Sequence, residues 1–327
     1  MSISIIMPFR NAERWIGETI DSIIQQSYPE WELVAVDDFS SDASLQLIEE
    51  FRIKDDRIRL CKNTLHGIIP ALQLGLKEAK GVYITRMDAD DIMPKDRLEL
   101  MLNTLQNTSK KTVVTGKVTY FSATHVSEGY KKYESWLNER ITARDHFDHI
   151  YRECVIASPN WLVRKKELIE TGIFDRLEYP EDYDMVFRFR ENEFKIEGIN
   201  ETTLLWREHP DRISRNSAVY DQKSFFKLKL QWFLKLNGLK HEKIGIMGAG
   251  KKGKIVAKFL LDNKIEFDWF DQNYARYNNP ILGKQILNQE NIKCSLLIIA
   301  VFPERMENLL QYLNDKNYVI GKNAWFF

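Results

Sequence analysis

The stretch Thr85-Arg86-Met87-Asp88-Ala89-Asp90-Asp91-Ile92-Met93-Pro94 decides how the rest of the chain is read. Three carboxylates fall within four residues, directly after the apolar run Val82-Tyr83-Ile84, and Pro94 opens a helical pattern from Lys95 to Gln106. The acids therefore sit on the loop at the carboxyl end of a strand, where open α/β sheets place their ligands. Unpaired carboxylates this close repel one another. A hard divalent cation relieves the repulsion, with water and phosphate oxygens filling its remaining positions. The competing reading is a solvated acidic turn in which Asp91 caps the next helix.

Outward from that loop, strand and helix alternate. Ser2-Ile3-Ser4-Ile5-Ile6-Met7 reads as a buried parallel strand, and after Pro8, Arg10 and Asn11 a helix face carries Trp15, Ile16, Ile20, Ile23 and Ile24. Glu32-Leu33-Val34-Ala35-Val36 is the next strand, and Asp37-Asp38-Phe39-Ser40-Ser41-Asp42 forms a turn before a helix from about Ala43 to Arg52. Ile58-Arg59-Leu60-Cys61 and a helix from Ile68 to Ala79 complete the alternation before Gly81. This order predicts a parallel sheet with right-handed crossovers. Two acidic turns then lie at one sheet edge, where Asp37 and Asp38 can accept hydrogen bonds from a ribose or a base N–H, or can cap the helix that follows. Downstream, Thr112 to Tyr120 is β-rich, the polar and aromatic stretch to about Arg140 has no assignment, and Thr142 to Cys154 looks helical. Glu181-Asp182 opens a further helix, where either acid suits the helix dipole but one cap needs only one of them.

Composition bounds the function. The 327 residues suffice for two domains, and 47 basic residues balance 47 acidic ones, so no net field attracts nucleic acid. Three separated cysteines, Cys61, Cys154 and Cys294, lack metal-ligand spacing and suggest free thiols in a reducing compartment. No apolar run approaches the roughly 18 residues that span a bilayer, and no signal peptide is recognisable. The expectation is a cytoplasmic protein, peripheral at most to the inner face of a membrane.

Over about the first 215 residues the chain resembles the family 2 glycosyltransferases, nucleotide-sugar enzymes of the GT-A fold. The resemblance rests on Ile6-Met7-Pro8-Phe9-Arg10-Asn11, Val36-Asp37-Asp38-Phe39-Ser40-Ser41-Asp42, Met87-Asp88-Ala89-Asp90-Asp91, Pro180-Glu181-Asp182-Tyr183-Asp184 and Trp206-Arg207-Glu208-His209, in that order. Phe39 departs from it, standing where family members usually carry a small residue or glycine. The resemblance implies that Asp38 contacts the uracil or its equivalent and Asp88 the ribose. It further implies that Asp90 reaches a metal on the diphosphate, that Asp182 is the acceptor's general base, and that Pro8, Arg10 and Asp37 lie on the donor side. Glycosyl transfer requires a base for the acceptor hydroxyl and charge neutralisation on the departing diphosphate. Asp182 would take the proton, and a Mn2+ or Mg2+ on Asp90 would act as Lewis acid. A base opposite the leaving group implies inversion. His209 is a candidate second metal ligand and Arg207 a candidate partner of a phosphate oxygen. The expected partners are a nucleotide-sugar donor, with a UDP-sugar favoured, and a glycan or lipid-linked sugar acceptor, as in cell-surface polysaccharide synthesis.

The expected division is a transferase domain over residues 1–220, a connecting helix over 221–241 and a small module over 242–327. The helix carries Phe225, Leu228, Trp232 and Leu236 on one face and Lys223, Lys227, Gln231 and Lys235 as a polar stripe. That pattern fits packing between domains or, with a lipid-linked acceptor, contact with a membrane surface. In the module, Lys243-Ile244-Gly245-Ile246-Met247 leads to Gly248-Ala249-Gly250-Lys251-Lys252-Gly253 and a helix, and a second strand ends at Asp271. This is a dinucleotide fingerprint in its required context, with Gly248, Gly250, Gly253 and Asp271 as candidate nucleotide-binding residues. Ser295 to Val301 is the one further clear strand, so the module reads as half of a dinucleotide domain. It resembles the Rossmann-like modules attached to sugar-modifying enzymes. The competing functions are a metal-dependent nucleotidyltransferase, which would carry a glycine-rich basic loop where Pro8-Phe9-Arg10-Asn11 stands, and an NAD-linked enzyme acting through the module.

Overall fold

In a computed structural model of the chain, which describes residues 2–210, 212, 222–237, 243–301 and 306–327, the apolar runs become the strands of two separate sheets. In the first, β1 (Ile3–Phe9) lies between β2 (Trp31–Asp37) and β4 (Tyr83–Arg86), with β3 (Ile58–Lys62) beyond β2, all parallel. The helices α1 (Ile16–Ile24), α2 (Ser44–Lys54) and α3 (Ile68–Glu78) connect these strands, and α4 (Arg97–Gln106) follows β4. All seven residues of β1 are buried, as a central strand covered on both faces requires. The long strands β5 (Thr112–Phe121) and β7 (Lys195–Arg207) pair in parallel, and the short β6 (Leu162–Arg164) runs antiparallel between β4 and β5. The order is β3-β2-β1-β4-β6-β5-β7. It places the carboxyl ends of β1, β2 and β4 side by side, and the loops leaving them carry Arg10, Asp38 and Asp88.

The remaining helices of this sheet are α5 (Glu128–Ala143), α6 (Lys165–Glu170) and α7 (Glu181–Glu191). The helix expected over Thr142 to Cys154 is displaced. It lies upstream as α5, in the stretch left unassigned, and ends where Arg144 turns left-handed at φ 57°. Only Trp136, Leu137 and Ile141 are buried along its 16 residues, too few to write a clear stripe into the sequence.

The second sheet contains β8 (Ile244–Met247), β9 (Phe267–Asp271), β10 (Ile286–Asn288), β11 (Leu296–Ile299) and β12 (Ala324–Phe326), all parallel, in the order β10-β9-β8-β11-β12. It includes α8 (Gln222–Asn237), α9 (Lys251–Asp262) and α10 (Met306–Asp315). The module is therefore more than the expected half. Two strands of three residues each, too short to carry a period, add an edge on either side.

The chain divides into one compact unit of residues Met1–His146 and Val155–Ser217 and a second of Phe147–Cys154 and Ala218–Phe327. The short Phe147–Cys154 segment joins the second unit because Tyr151 stacks on Phe327, with ring centroids 5.2 Å apart. Lys229 on α8 also donates from Nζ to Arg152 O at 2.8 Å. Helix α8 thus belongs to the packed second unit: Leu228, Trp232 and Phe233 are buried, and Phe233 meets Trp325 and Phe327 edge-on. Of the four residues on the expected apolar face, Leu228 and Trp232 are buried and Phe225 and Leu236 half-buried, the pattern of a helix packed against protein. Lys227, Gln231 and Lys235 are exposed, as a solvated stripe should be. Asp221, residues 238–240 and the side chain of Lys223 lie outside the described residues. No described helix is long and apolar enough to cross a membrane.

Candidate active site

The acidic loop after β4 is held from two sides. From α1, Thr19 Oγ1 donates to Ala89 O at 3.0 Å and to Asp91 O at 2.8 Å, and just beyond that helix Gln26 Nε2 donates to Pro94 O at 2.8 Å. From the end of β7, Arg207 N donates to Asp91 Oδ1 at 2.8 Å and Arg207 Nε to Asp90 O at 2.6 Å. Asp91 therefore does not cap the next helix, which begins at Arg97. It is buried, its Oδ2 takes no hydrogen bond among the described residues, and its carboxyl is pushed well above the usual range. Burial is the main cause, followed by the charges of Asp90 and Asp88.

Asp90 and Asp88 have different partners. Burial works to raise Asp90, but the hydrogen bond with His209 and the charge of Arg212 outweigh it and hold the carboxyl below its ordinary value. His209 Nε2 lies 2.9 Å from Asp90 Oδ2, with its ring 5.3 Å from that of Trp15. Arg207, the candidate partner of a phosphate oxygen, holds the loop: beyond Asp90 O, its Nη2 reaches Glu18 Oε2 at 2.6 Å and its guanidinium lies over Trp15. Arg212, which the sequence did not single out, is the cation that interacts with Asp88, Asp90 and Asp91 together.

The second residue not foreseen is Arg86, the last of β4. Its side chain is buried, its Nε donates to Asp88 Oδ1 at 2.8 Å and its Nη1 to Glu181 Oε1 at 3.1 Å. One guanidinium thus ties the acidic loop to the first turn of α7, 95 positions later in the chain. Glu181 takes the inward position and Asp182, half-buried, is left beside it, with Oδ1 accepting Tyr183 N–H at 2.8 Å. Asp182 is pushed up to about 7, first by burial and then by the charge of Glu181, with Arg86 pulling the other way. A carboxylate poised near neutral pH has the proton affinity a general base needs.

At the neighbouring strand end, Asp37 and Asp38 do separate jobs. Asp37 Oδ1 accepts Ser40 N–H at 2.9 Å and closes the turn without capping the helix, which begins at Ser44. Asp38 Oδ1 accepts from Asn63 Nδ2 and Gly67 N, both at 2.9 Å, and so fixes the loop between β3 and α3. Pro8 is a buried residue of β1, and Arg10 is exposed and paired with His66. Phe39 lies beside them, half-exposed, its ring 6.0 Å from that of His66. Its φ of 61° explains why a small residue or glycine is usual there, since bulky residues rarely adopt the left-handed conformation.

Among the described residues no set of three or more His, Cys, Asp or Glu side chains forms a protein-only metal cage. Asp90 and His209 fit a different kind of site, in which one or two protein ligands leave the other positions to diphosphate oxygens and water. Burial and the nearby charge of Asp90 raise Asp88 against the pull of Arg86, a like-charge strain that a cation would relieve. The residues present fit Mg2+ or Mn2+.

In the second unit Gly248 ends β8 with φ 106°, and Gly253 packs α9 against the turn. Asp271, expected at a ribose, braces the turn: its Oδ2 accepts Ala249 N–H and its Oδ1 accepts Asn273 N–H, each at 2.7 Å.

The sequence model of the family described as Glycosyl transferase family 2 matches residues 4–172. The chain is 27% identical over 219 residues to the glycosyltransferase GlyG of Streptococcus pneumoniae, covering 65% of this chain and 73% of that protein. Its fold is similar to that of S. aureus TarS, solved with UDP-GlcNAc, at TM-score 0.56 and 20% identity over 80% of this chain and 72% of the other. It is also similar to the mannosyltransferase PcManGT of Pyrobaculum calidifontis, solved with GDP-Man and Mn2+, at TM-score 0.55 and 18% identity over 72% of this chain and 64% of the other.

Proposed function

The chain belongs to glycosyl transferase family 2, and from that premise we propose that it moves a sugar from a UDP-sugar to a hydroxyl acceptor in a metal-dependent, inverting reaction. The observation that carries this reading is the Arg86 bridge, which joins the Asp88 loop and the Glu181–Asp182 helix start through one buried cation. A donor-side loop and an acceptor-side base must be held in fixed relation for in-line displacement, and a shared guanidinium is a rigid way to do it. Asp182 takes the acceptor hydroxyl proton as the oxygen attacks the anomeric carbon opposite the departing diphosphate, so configuration inverts. Asp90 and His209 would hold Mg2+ or Mn2+, which when bound neutralises charge on the leaving group. Arg207 and Thr19 keep the loop that bears Asp90 in place, and Asp38 orders the loop at which the base would be read.

UDP-GlcNAc in the complex of TarS favours a uridine donor, while Mn2+ in that of PcManGT is consistent with metal at the acidic loop. A glycan or lipid-linked sugar is the acceptor class we assign, with the transfer chemistry in the first unit. Calorimetry with UDP-, GDP- and TDP-sugars tests the donor side. The binding that Mn2+ or Mg2+ adds should be lost in Asp90→Ala, and titrations that are the same with the metal and in EDTA would reject the metal assignment.

A further inference from the structure

Of the four fingerprint residues in the second unit, the fold itself accounts for three. Gly248 has φ 106°, a conformation that side chains rarely adopt. A Cβ on Gly253 would lie 1.9 Å from Gly248 O, so the packing of α9 on the turn admits no side chain. Both carboxylate oxygens of Asp271 accept backbone N–H groups of adjoining turns. Gly250 is different. Its φ of −74° and ψ of −163° are extended backbone open to any residue, and a Cβ added there would meet no atom within 4 Å. Among the described residues nothing calls for glycine at this position.

What a side chain at 250 would enter is a cleft of about 970 Å3. Met247 and Ala300 line its floor at the carboxyl ends of β8 and β11. The order β10-β9-β8-β11-β12 reverses direction between those two strands, and crevices at such reversals are where open parallel sheets take ligands. Helix α9 starts at the cleft with no side chain capping it, so its first-turn N–H groups are left for an anion. Lys251 and Arg276, both exposed, add two cations to the lining, and Tyr312 and Asn308 add an aromatic and a polar surface. The volume suits a ligand of nucleotide size. Among the described residues no cluster of acids comparable to the Asp88 loop faces it, and the one acid of that lining, Asp271, is engaged with backbone.

We propose that the second unit has its own binding site for a nucleoside diphosphate moiety, with the diphosphate over Gly250 and the start of α9, between Lys251 and Arg276. A nucleotide sugar and a dinucleotide share that moiety. The site is independent of the transfer reaction and of the metal proposed for it, so it should bind in EDTA, whether or not the acidic loop takes a donor.

The test is calorimetry of the full chain in EDTA with UDP-GlcNAc, GDP-mannose and NAD+ in turn. At least one should bind, a nucleotide sugar or NAD+ identifying which source the site uses. Gly250→Val should keep the native circular dichroism and melting temperature, because a Cβ there has no atom within 4 Å, yet weaken binding by about tenfold or more. Lys251→Glu combined with Arg276→Glu should weaken it to a similar extent. No binding by any of the three at millimolar concentration, or unchanged affinity in Gly250→Val, would overturn the proposal. Binding in EDTA that the Gly250 variant leaves intact would belong to another part of the chain and would count against it equally.

Discussion

At the carboxyl end of β4 the chain places Asp88, Asp90 and Asp91; at the carboxyl end of β8 it places Gly248, Ala249 and Gly250, with no charged group on the turn itself. Both lie at strand ends of mainly parallel sheets, yet they need different support. Carboxylates gathered on one loop must be neutralised, and the chain does so with arginines: the buried Arg86, two positions before Asp88 and bound also to Glu181, and Arg212 from beyond β7. The glycine turn is held by steric fit and one acid, Asp271, which binds backbone rather than a counter-charge. Charge makes a site that depends on long-range ion pairs, whereas backbone makes one that depends on the absence of side chains. The two should therefore fail in different ways when mutated.

The largest effect should come from Asp182→Asn, with turnover lower by about 10² to 10⁴, the usual worth of positioned proton transfer, and donor affinity little changed. Its stability should move the other way. Because Asp182 is pushed up to about 7, the native chain holds its proton more tightly than the unfolded chain. Stability therefore falls as pH rises from the usual aspartate range towards 7 and stays lowered above it. Removing the charge should raise the melting temperature at pH 8, with the difference closing near about pH 4. The same proton gives the wild-type rate an acid limb near 7, absent from the variant's residual rate. A variant no more stable than wild type at pH 8 would return Asp182 to helix capping.

Arg86→Met sharpens the contrast in dependence on long-range pairs. It leaves Glu181 and Asp88 without their shared cation, and breaking a buried pair by removing one partner costs about 3–5 kcal/mol. Chemical denaturation should register that loss, and Arg86→Lys should recover part of it while restoring little turnover, since one ammonium does not span both carboxylates as the planar guanidinium does. A loss below about 1 kcal/mol, the level of an exposed pair, would show that the bridge is not holding the site. The smallest effect belongs to Phe39→Gly. Relief of the left-handed strain, worth about 1–2 kcal/mol, is opposed by the extra freedom of glycine in the unfolded chain, so stability should shift by about 1 kcal/mol or less. If donor affinity falls nonetheless, the ring is retained for ligand contact and not for folding.

Much of the first sheet was legible because its strands are short runs of β-branched apolar residues and its acidic turns follow them directly. The loops bearing Asp38, Asp88, Asp90 and Asp182 were legible for the same reason: clustered acids stand out in sequence. The bridge that joins two of those loops was not, because Arg86 and Glu181 are 95 positions apart and an arginine closing a strand carries no local mark. Asp37 and Asp38 are adjacent and chemically identical, yet one closes its own turn and the other holds the β3–α3 loop, a distinction that exists only in three dimensions. Helix α5 escaped notice because so little of it is buried, and β10 and β12 because three residues cannot show a period. The oddness of Phe39 was visible in the sequence, but its cause, a φ of 61°, was not.

The central claim is a single in-line displacement with Asp182 as base, and proton NMR of the reaction in progress tests it most directly. With a nucleotide sugar of α configuration as donor, Mn2+ and a saccharide acceptor, the first product resonances should be those of the β-linked glycoside. An α-linked first product would mean that two displacements or a front-face mechanism operate, and would contradict the account.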